Sequence, residues 1–218
     1  MSLDREDGEL ESGIELEGIN LGGIGAFQIA SYSNMQKDFA RLYAECFAGP
    51  PYFEKYEESW IVENVYDKFI DSGCIMVVLQ NAGLVGFSCA QRAERIKDTS
   101  VYRYLASRES LPFELEKSCY VAELAVLPDL RKKGIGTSLL SMVYVWGNLH
   151  SMSSYVSRTA YEGSNSLGIF LRLGAKMLPG FQTVDGDDGE VPSASSRRVY
   201  VWGDLRSCRG YRNFPRSS

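Results

Sequence analysis

Between Tyr120 and Thr137 the chain reads YVAELAVLPDLRKKGIGT, and the second half of that stretch has the residue types that hold phosphate. Arg131, Lys132 and Lys133 supply positive charge, while Gly134 and Gly136, on either side of Ile135, remove side chains that would keep a ligand off the backbone. From Thr137 onward, TSLLSMVYVWG carries its apolar residues at helical spacing, which places the glycines at a helix N-terminus. The first N–H groups of a helix have no partner within it, and its dipole is positive at that end. Cations, glycines and free amides together make a cradle for a phosphate or pyrophosphate. A second chemical residue stands just upstream. Glu123 is the only charged residue in Tyr120–Val126, a strand otherwise apolar on both faces. A buried carboxylate is expensive unless paired, and desolvation raises its pKa toward the range of a general base. The same carboxylate also fits a structural role, paired with Arg158 on the neighbouring strand.

Spacing decides which phosphate ligand is meant. A P-loop requires G-x-x-x-x-G-K-[ST], but Gly134 and Gly136 are too close together and no lysine follows them. A dinucleotide fingerprint requires G-x-G-x-x-G, and the third glycine position holds Leu139. The segment instead resembles the acyl-CoA signature of the GNAT superfamily of N-acyltransferases, an apolar strand followed by x-P-x-x-R-x-x-G-x-G/A and a helix. Pro128, Arg131, Gly134 and Gly136 all fall in that register.

The resemblance implies acetyl-CoA as co-substrate, no metal, and direct attack of an acceptor amine on the thioester. It implies that a bulge splays the signature strand from the next, so that Leu124, Ala125 and Val126 offer main-chain contacts to the coenzyme and Arg131 to Thr137 cradle its pyrophosphate. Members of the family often use an acidic residue on this strand as base, which fits Glu123. The later family motif N-x-x-A-x-x-L-Y-x-x-x-G-F fits less well. Its tyrosine, which protonates the coenzyme sulfur, aligns with Phe170, which has no proton to give. Its asparagine aligns with Gly163, leaving Asn165 two residues late. The alignment puts Asn165 and Phe170 on the coenzyme side, although Phe170 fits plain core filler better; Tyr161 is the nearest alternative acid, and water is the other source of the proton. The acceptor side is implied by position alone, in Tyr52 and Glu54 on the turn GPPYFE and in an acidic hairpin over residues 185–190 that equally fits a solvated turn. Two acidic elements favour a cationic amine, either a small one such as a polyamine or amino sugar or a protein amine such as a lysine side chain or peptide N-terminus. A CoA-binding sensor or scaffold of the same fold, without turnover, is the alternative that Phe170 leaves open.

The elements that position these residues follow from pattern. Phe27 to Ser31 reads as a strand; Asn34 caps a helix with Phe39, Leu42, Tyr43 and Phe47 on one face; Gly49-Pro50-Pro51 ends it. A second helix spans Glu57 to Asp71 with Trp60, Ile61, Val65 and Phe69 inward. Strands CIMVVLQ and LVGFSCAQ flank Asn81-Ala82-Gly83, a hairpin signal. The polar, tyrosine-bearing stretch 95–118 carries a short helix. Beyond the signature come a strand at 154–161, a helix at 165–173, a strand at 177–184 and a last strand at 197–205. The order β-α-α-β-β-β-α-β-α-β-β is the one the GNAT fold uses, so the resemblance implies an α/β fold with a central mixed, mostly antiparallel twisted sheet and helices on both faces. One domain over residues 26–205 follows, between an acidic leader, 1–25, and a basic tail, 206–218.

Net charge is −5, which argues against general nucleic-acid binding, although Arg206, Arg209, Arg212 and Arg216 make the C-terminal tail basic. Five widely spaced cysteines without a C-x-x-C pair, and His150 as the single histidine, give no zinc pattern. The opening MSLDREDGELES lacks the basic and apolar regions of a signal peptide, and no apolar run approaches membrane-spanning length. These features predict a protein of the reducing cytoplasm that is not held on a membrane, with monomer and homodimer both left open.

Overall fold

Runs of β-branched and aromatic residues buried on both faces write the centre of the sheet. The computed structural model describes residues 24–28, 35–50, 52–80, 83–97, 99–183 and 197–206. Strands β2 (Gly73–Gln80) and β3 (Gly83–Arg92) form the antiparallel hairpin expected from Asn81-Ala82-Gly83. Their side chains alternate between the two faces, as strand geometry demands. Cys74, Met76 and Val78 face one layer, and Ile75 and Val77 face the other. Strand β1 (Ile24–Gln28) pairs antiparallel with β2 and lies earlier than Phe27 to Ser31 predicts. The continuation to Ser31, Asn34 as a cap, most of the acidic leader, the 185–190 hairpin and the tail beyond Arg206 lie outside the described residues.

Helix α1 (Gln36–Phe47) buries Phe39, Leu42, Tyr43 and Phe47 as its periodicity predicts. The next helical run is α2 (Glu58–Ile61), a π-helical turn (Val62–Tyr66) and α3 (Asp67–Ser72). Ile61, Val65 and Phe69 are buried, but Trp60 is 42 % exposed, against expectation. Two steps of four residues drift by about 80° around a 3.6-residue helix, and the wider π turn takes up that drift. Trp60 lies about 100° off the resulting face and stacks instead on Tyr56, ring centroids 4.4 Å apart. Beyond the sheet's second layer come a 3₁₀ turn (Ala93–Ile96) and α4 (Ser100–Ala106), capped by the Thr99 hydroxyl.

Strand β4 (Ser118–Val126) runs antiparallel to β3 and leads through a 3₁₀ turn at Pro128–Leu130 into α5 (Ile135–Leu149). Strand β5 (Ser154–Ala160), α6 (Asn165–Arg172) and β8 (Arg197–Asp204) keep the predicted order. The predicted strand at 177–184 is not continuous: only the two-residue pieces β6 (Lys176–Met177) and β7 (Gln182–Thr183) pair with β8. Gly180, at φ 86°, lies between them and turns the backbone out of strand geometry. The order across the sheet is β1-β2-β3-β4-β5-β8-β6, antiparallel throughout except for β4 and β5. Helices α5 and α6 pack on one face, and α1 to α3 on the other.

Strand β4 departs from regular pairing on both of its edges. Its register against β3 passes from Cys89↔Glu123 to Ala90↔Val121, so Ala122 is an extra, bulged residue. Its parallel pairing with β5 runs from Ser118↔Ser154 to Val121↔Ser157 and goes no further, while β5 stays paired with β8 to Ala160. The sheet thus forks. At the vertex the buried Ser157 hydroxyl donates to the Val121 carbonyl at 2.8 Å. Ser157→Ala leaves that carbonyl without its side-chain donor, which costs about 1–2 kcal/mol. For a domain of this size that lowers Tm by roughly 2–8 °C, and an unchanged melting curve would mean the bond does not hold the vertex.

Candidate active site

The fork leaves the β5-facing edge of β4 from Ala122 to Val126 without a strand neighbour among the described residues. Beside that edge lies a cleft of about 610 Å³, walled by Leu124, Ala125 and Val126, by the turn Arg131, Lys132, Gly134, Ile135, Gly136 and Thr137, and by Asn165. Sequence-predicted coenzyme residues from two elements far apart in the chain are thereby brought together.

The turn works through its backbone. Gly134 has φ 86° and ends directly at α5. A side chain there would meet open space, so the glycine is required by its left-handed conformation and not by crowding. The first backbone bond inside the helix runs from Ser138 N–H to the Gly134 carbonyl at 3.0 Å, which leaves the amides of Ile135, Gly136 and Thr137 ahead of it. Gly136 has a different reason from the one its spacing suggests. A Cβ there would come within 2.9 Å of Ile169 Cδ1, so it permits the close approach of α5 and α6. Arg131 donates through Nε to the Val126 carbonyl at 3.0 Å, tying the turn to the end of β4. Lys133 points away and does not line the cleft.

Two expected site residues stand elsewhere. Phe170 is 1 % exposed, stacked against Tyr155 at 6.2 Å in the core under α5, and does not line the cleft. Tyr161 is 40 % exposed, packs edge-on against Phe181 at 5.0 Å beneath Arg197, and lines neither cavity. Three hydroxyls that sequence reading missed line the cavities, Ser164 and Ser166 the first and Thr159 the second. Thr159 Oγ1 lies 2.7 Å from both Ser164 Oγ and Ser166 Oγ, which are 2.8 Å from each other. Ser164 also caps α6 by accepting from Leu167 N–H. Nothing in G-S-N-S-L marks this triangle, because its third corner comes from β5.

On the other side of the fork is a second cavity of about 340 Å³, walled by Glu54, Glu123, Lys68, Arg158 and Arg198 with Tyr43, Tyr52 and Trp60. Tyr52 faces both cavities, so the proline-stiffened turn that carries Tyr52 and Glu54 separates them. Glu123 is held by its own backbone, whose carbonyl accepts from the buried Ser88 hydroxyl at 2.8 Å. Burial pushes its carboxyl up to about 8, and the nearby Glu54 adds to the rise. Arg158, Lys68 and a hydrogen bond with Tyr43 oppose it without cancelling it. Burial also raises the Glu54 carboxyl, against the pull of Arg198, of a hydrogen bond with Tyr56 and of Arg158. The structural pairing of Glu123 with Arg158 does not occur: no ion pair joins them among the described residues. Arg158 donates instead through Nη1 to Gln182 Oε1 at 3.4 Å, an oxygen that also accepts from Tyr200 at 2.6 Å.

No group of three or more His, Cys, Asp or Glu side chains suited to a metal occurs among the described residues, and no helix there is long and apolar enough to cross a membrane. The sheet is thus mostly antiparallel and forked between its two parallel strands, with a helix N-terminus at the mouth of the fork. Residues 36–175 match the model of the Acetyltransferase (GNAT) family, and the chain belongs to that family of enzymes. An N-acetyltransferase from Staphylococcus aureus Mu50 superposes with TM-score 0.60 at 14 % identity, covering 83 % of this chain and 98 % of that one. A phosphinothricin acetyltransferase from Sinorhizobium meliloti, solved with acetyl-CoA, gives TM-score 0.60 at 15 % identity over 88 % and 94 % of the two chains. The ribosomal-protein-S18-alanine N-acetyltransferase of Escherichia coli gives 0.55 at 11 % over 83 % and 94 %. No curated protein matches the chain.

The raised carboxyl has a consequence for stability. Below pH 4.5 Glu123 is protonated in the folded and unfolded chain alike; as pH rises toward 8 the unfolded chain ionises first, and the folded state loses stability. Glu123→Gln lacks that loss. Its Tm relative to the parent should climb between pH 4.5 and 8 and level off above, and a difference independent of pH would place the carboxylate in a solvated setting.

Proposed function

We propose that the enzyme transfers an acetyl group from acetyl-CoA to a primary amine by direct attack of the amine nitrogen on the thioester carbonyl. One observation carries the reading. Glu123 and Leu124, neighbours on the forked strand, line opposite cavities, so a base on the acceptor side sits one residue from backbone on the donor side. The amides of Leu124 and Val126, which alternate away from β3, suit the pantetheine arm and thioester. The N-terminus of α5 with Arg131 and Lys132 suits the pyrophosphate.

In this scheme Glu123 takes a proton from the acceptor ammonium, and the freed amine forms the new C–N bond. Backbone N–H groups of β4 stabilise the oxyanion, and the C–S bond breaks to release CoA. A carboxyl near pH 8 is close to the optimum for such a base, being able to hold a proton yet ionised in a useful fraction at neutral pH. Phe170 has no proton for the departing sulfur. The Ser164, Ser166 and Thr159 hydroxyls are among the donors that wall the cavities, and they can hydrogen-bond the thiolate until water protonates it.

Two measurements test the scheme. Acetyl-CoA and CoA at about a hundred times Kd should stabilise the protein by about 2.7 kcal/mol, or roughly 5–10 °C, and Gly134→Glu should abolish the shift by placing a carboxylate where phosphate sits. In an amine screen with thiol detection, kcat should rise with pH through about 8, and that limb should vanish in Glu123→Gln while the CoA shift survives. An unchanged pH profile in Glu123→Gln removes it as base. A CoA shift with no turnover of any amine supports the sensor or scaffold reading instead.

A further inference from the structure

The acceptor cavity carries more positive than negative charge. Arg158, Arg198 and Lys68 face two carboxylates, Glu54 and Glu123. Arg158 is the telling member. It projects from the middle of β5, half-buried, yet no carboxylate lies within ion-pair distance of it among the described residues. Glu54 and Glu123 share its field without touching it, and of a guanidinium's five donors few are used here. Gln182, itself held by Tyr200, braces the guanidinium from one side through Nη1. Arg198 approaches the same cavity from β8, lying 5.4 Å over the Tyr52 ring.

Resting on the amine-acetyltransferase reading, we propose that the acceptor is a small primary amine that also carries a carboxylate, an amino-acid-class molecule whose carboxylate docks on Arg158 while its amine faces Glu123. The planar fork of arginine matches a carboxylate in bidentate geometry, which a polyamine or amino sugar could not use. Glu123 and Arg158 sit on adjacent strands on either side of the fork, so one cavity presents a base and an anion clamp at once. The volume, about 340 Å³, lies at the small end for ligand pockets. Tyr52 and Trp60, at the wall, offer apolar faces to a side chain. A zwitterionic acceptor is thereby proposed in place of the cationic one that Glu54 and the acidic hairpin suggest.

The test is a matched acceptor panel with acetyl-CoA and thiol detection: amino acids, their carboxamides, the corresponding decarboxylated amines, short peptides and polyamines. Thermal shifts of the CoA complex with each compound run alongside. Free amino acids should exceed their carboxamides and decarboxylated amines by about 10- to 100-fold in kcat/KM, the range for hydrogen bonds to a charged group. Arg158→Gln should lose that preference through KM with little change in kcat, and Arg158→Lys should regain part of it. The CoA shift should be intact in both, which also shows that they fold. Carboxamides, peptides or polyamines turned over as well as amino acids would overturn the proposal while leaving the acetyltransferase reading standing. So would an unaltered preference in a folded Arg158→Gln. Absence of both turnover and carboxylate-dependent stabilisation across the panel overturns it as well, and failure of the CoA shift itself would strike at the underlying activity.

Discussion

The parallel pairing of β4 and β5 ends at Val121 and Ser157, and a sheet that opens in its middle exposes backbone groups that neither strand then serves. The rest of the site depends on this opening. Buried backbone donors must find partners, so the open edge of β4 is a place that favours a ligand with acceptors of its own. The sheet tolerates the break because both strands are anchored elsewhere. β4 is bonded along its length to β3, and β5 to β8. Ser157 across the vertex and Ser88 from β3 fix where the divergence begins. The bulge at Ala122 falls at the same level, where a change of strand direction is needed.

Helix α5 converts the opening into a site with polarity. Its N-terminus points its first amides into the mouth of the fork, and Arg131 ties the turn back to Val126. The other face is electrostatically different. There a carboxylate, Glu123, is held in partly dry surroundings next to a second carboxylate and within the field of two arginines and a lysine. The opposed influences keep Glu123 protonatable near neutral pH without fixing it in an ion pair, the state a general base requires. A direct bond to Arg158 would have pulled its carboxyl down and spent the arginine's charge within the protein.

Much of this was legible in the chain. The glycine turn and its helix were readable because proline, glycine and a run of cations obey spacing rules that do not depend on tertiary contacts. Glu123 was readable because a lone charge in an apolar strand is costly wherever the strand lies. What escaped depended on neighbours distant in sequence. Gly136 answers to Ile169 on α6, Thr159 meets Ser164 and Ser166 only once β5 and α6 are packed, and Arg158 is turned aside by Gln182. Trp60 was misassigned because a π turn changes the helical period from within. Phe170 and Tyr161 illustrate another limit: motif alignment gave them positions in the chain, but packing placed one in the core and the other on the surface.

The most direct test of the central claim is amide hydrogen exchange on the protein with and without CoA, since ligand binding is assigned to particular backbone N–H groups. Slowed exchange should concentrate at Leu124, Val126 and Ile135–Thr137, with Ala125, already bonded to β3, and Ser118–Val121, already paired with β5, nearly unchanged. Protection spread elsewhere, or absent from both of those segments when CoA is demonstrably bound, would show that the fork and the helix N-terminus are not the coenzyme's seat.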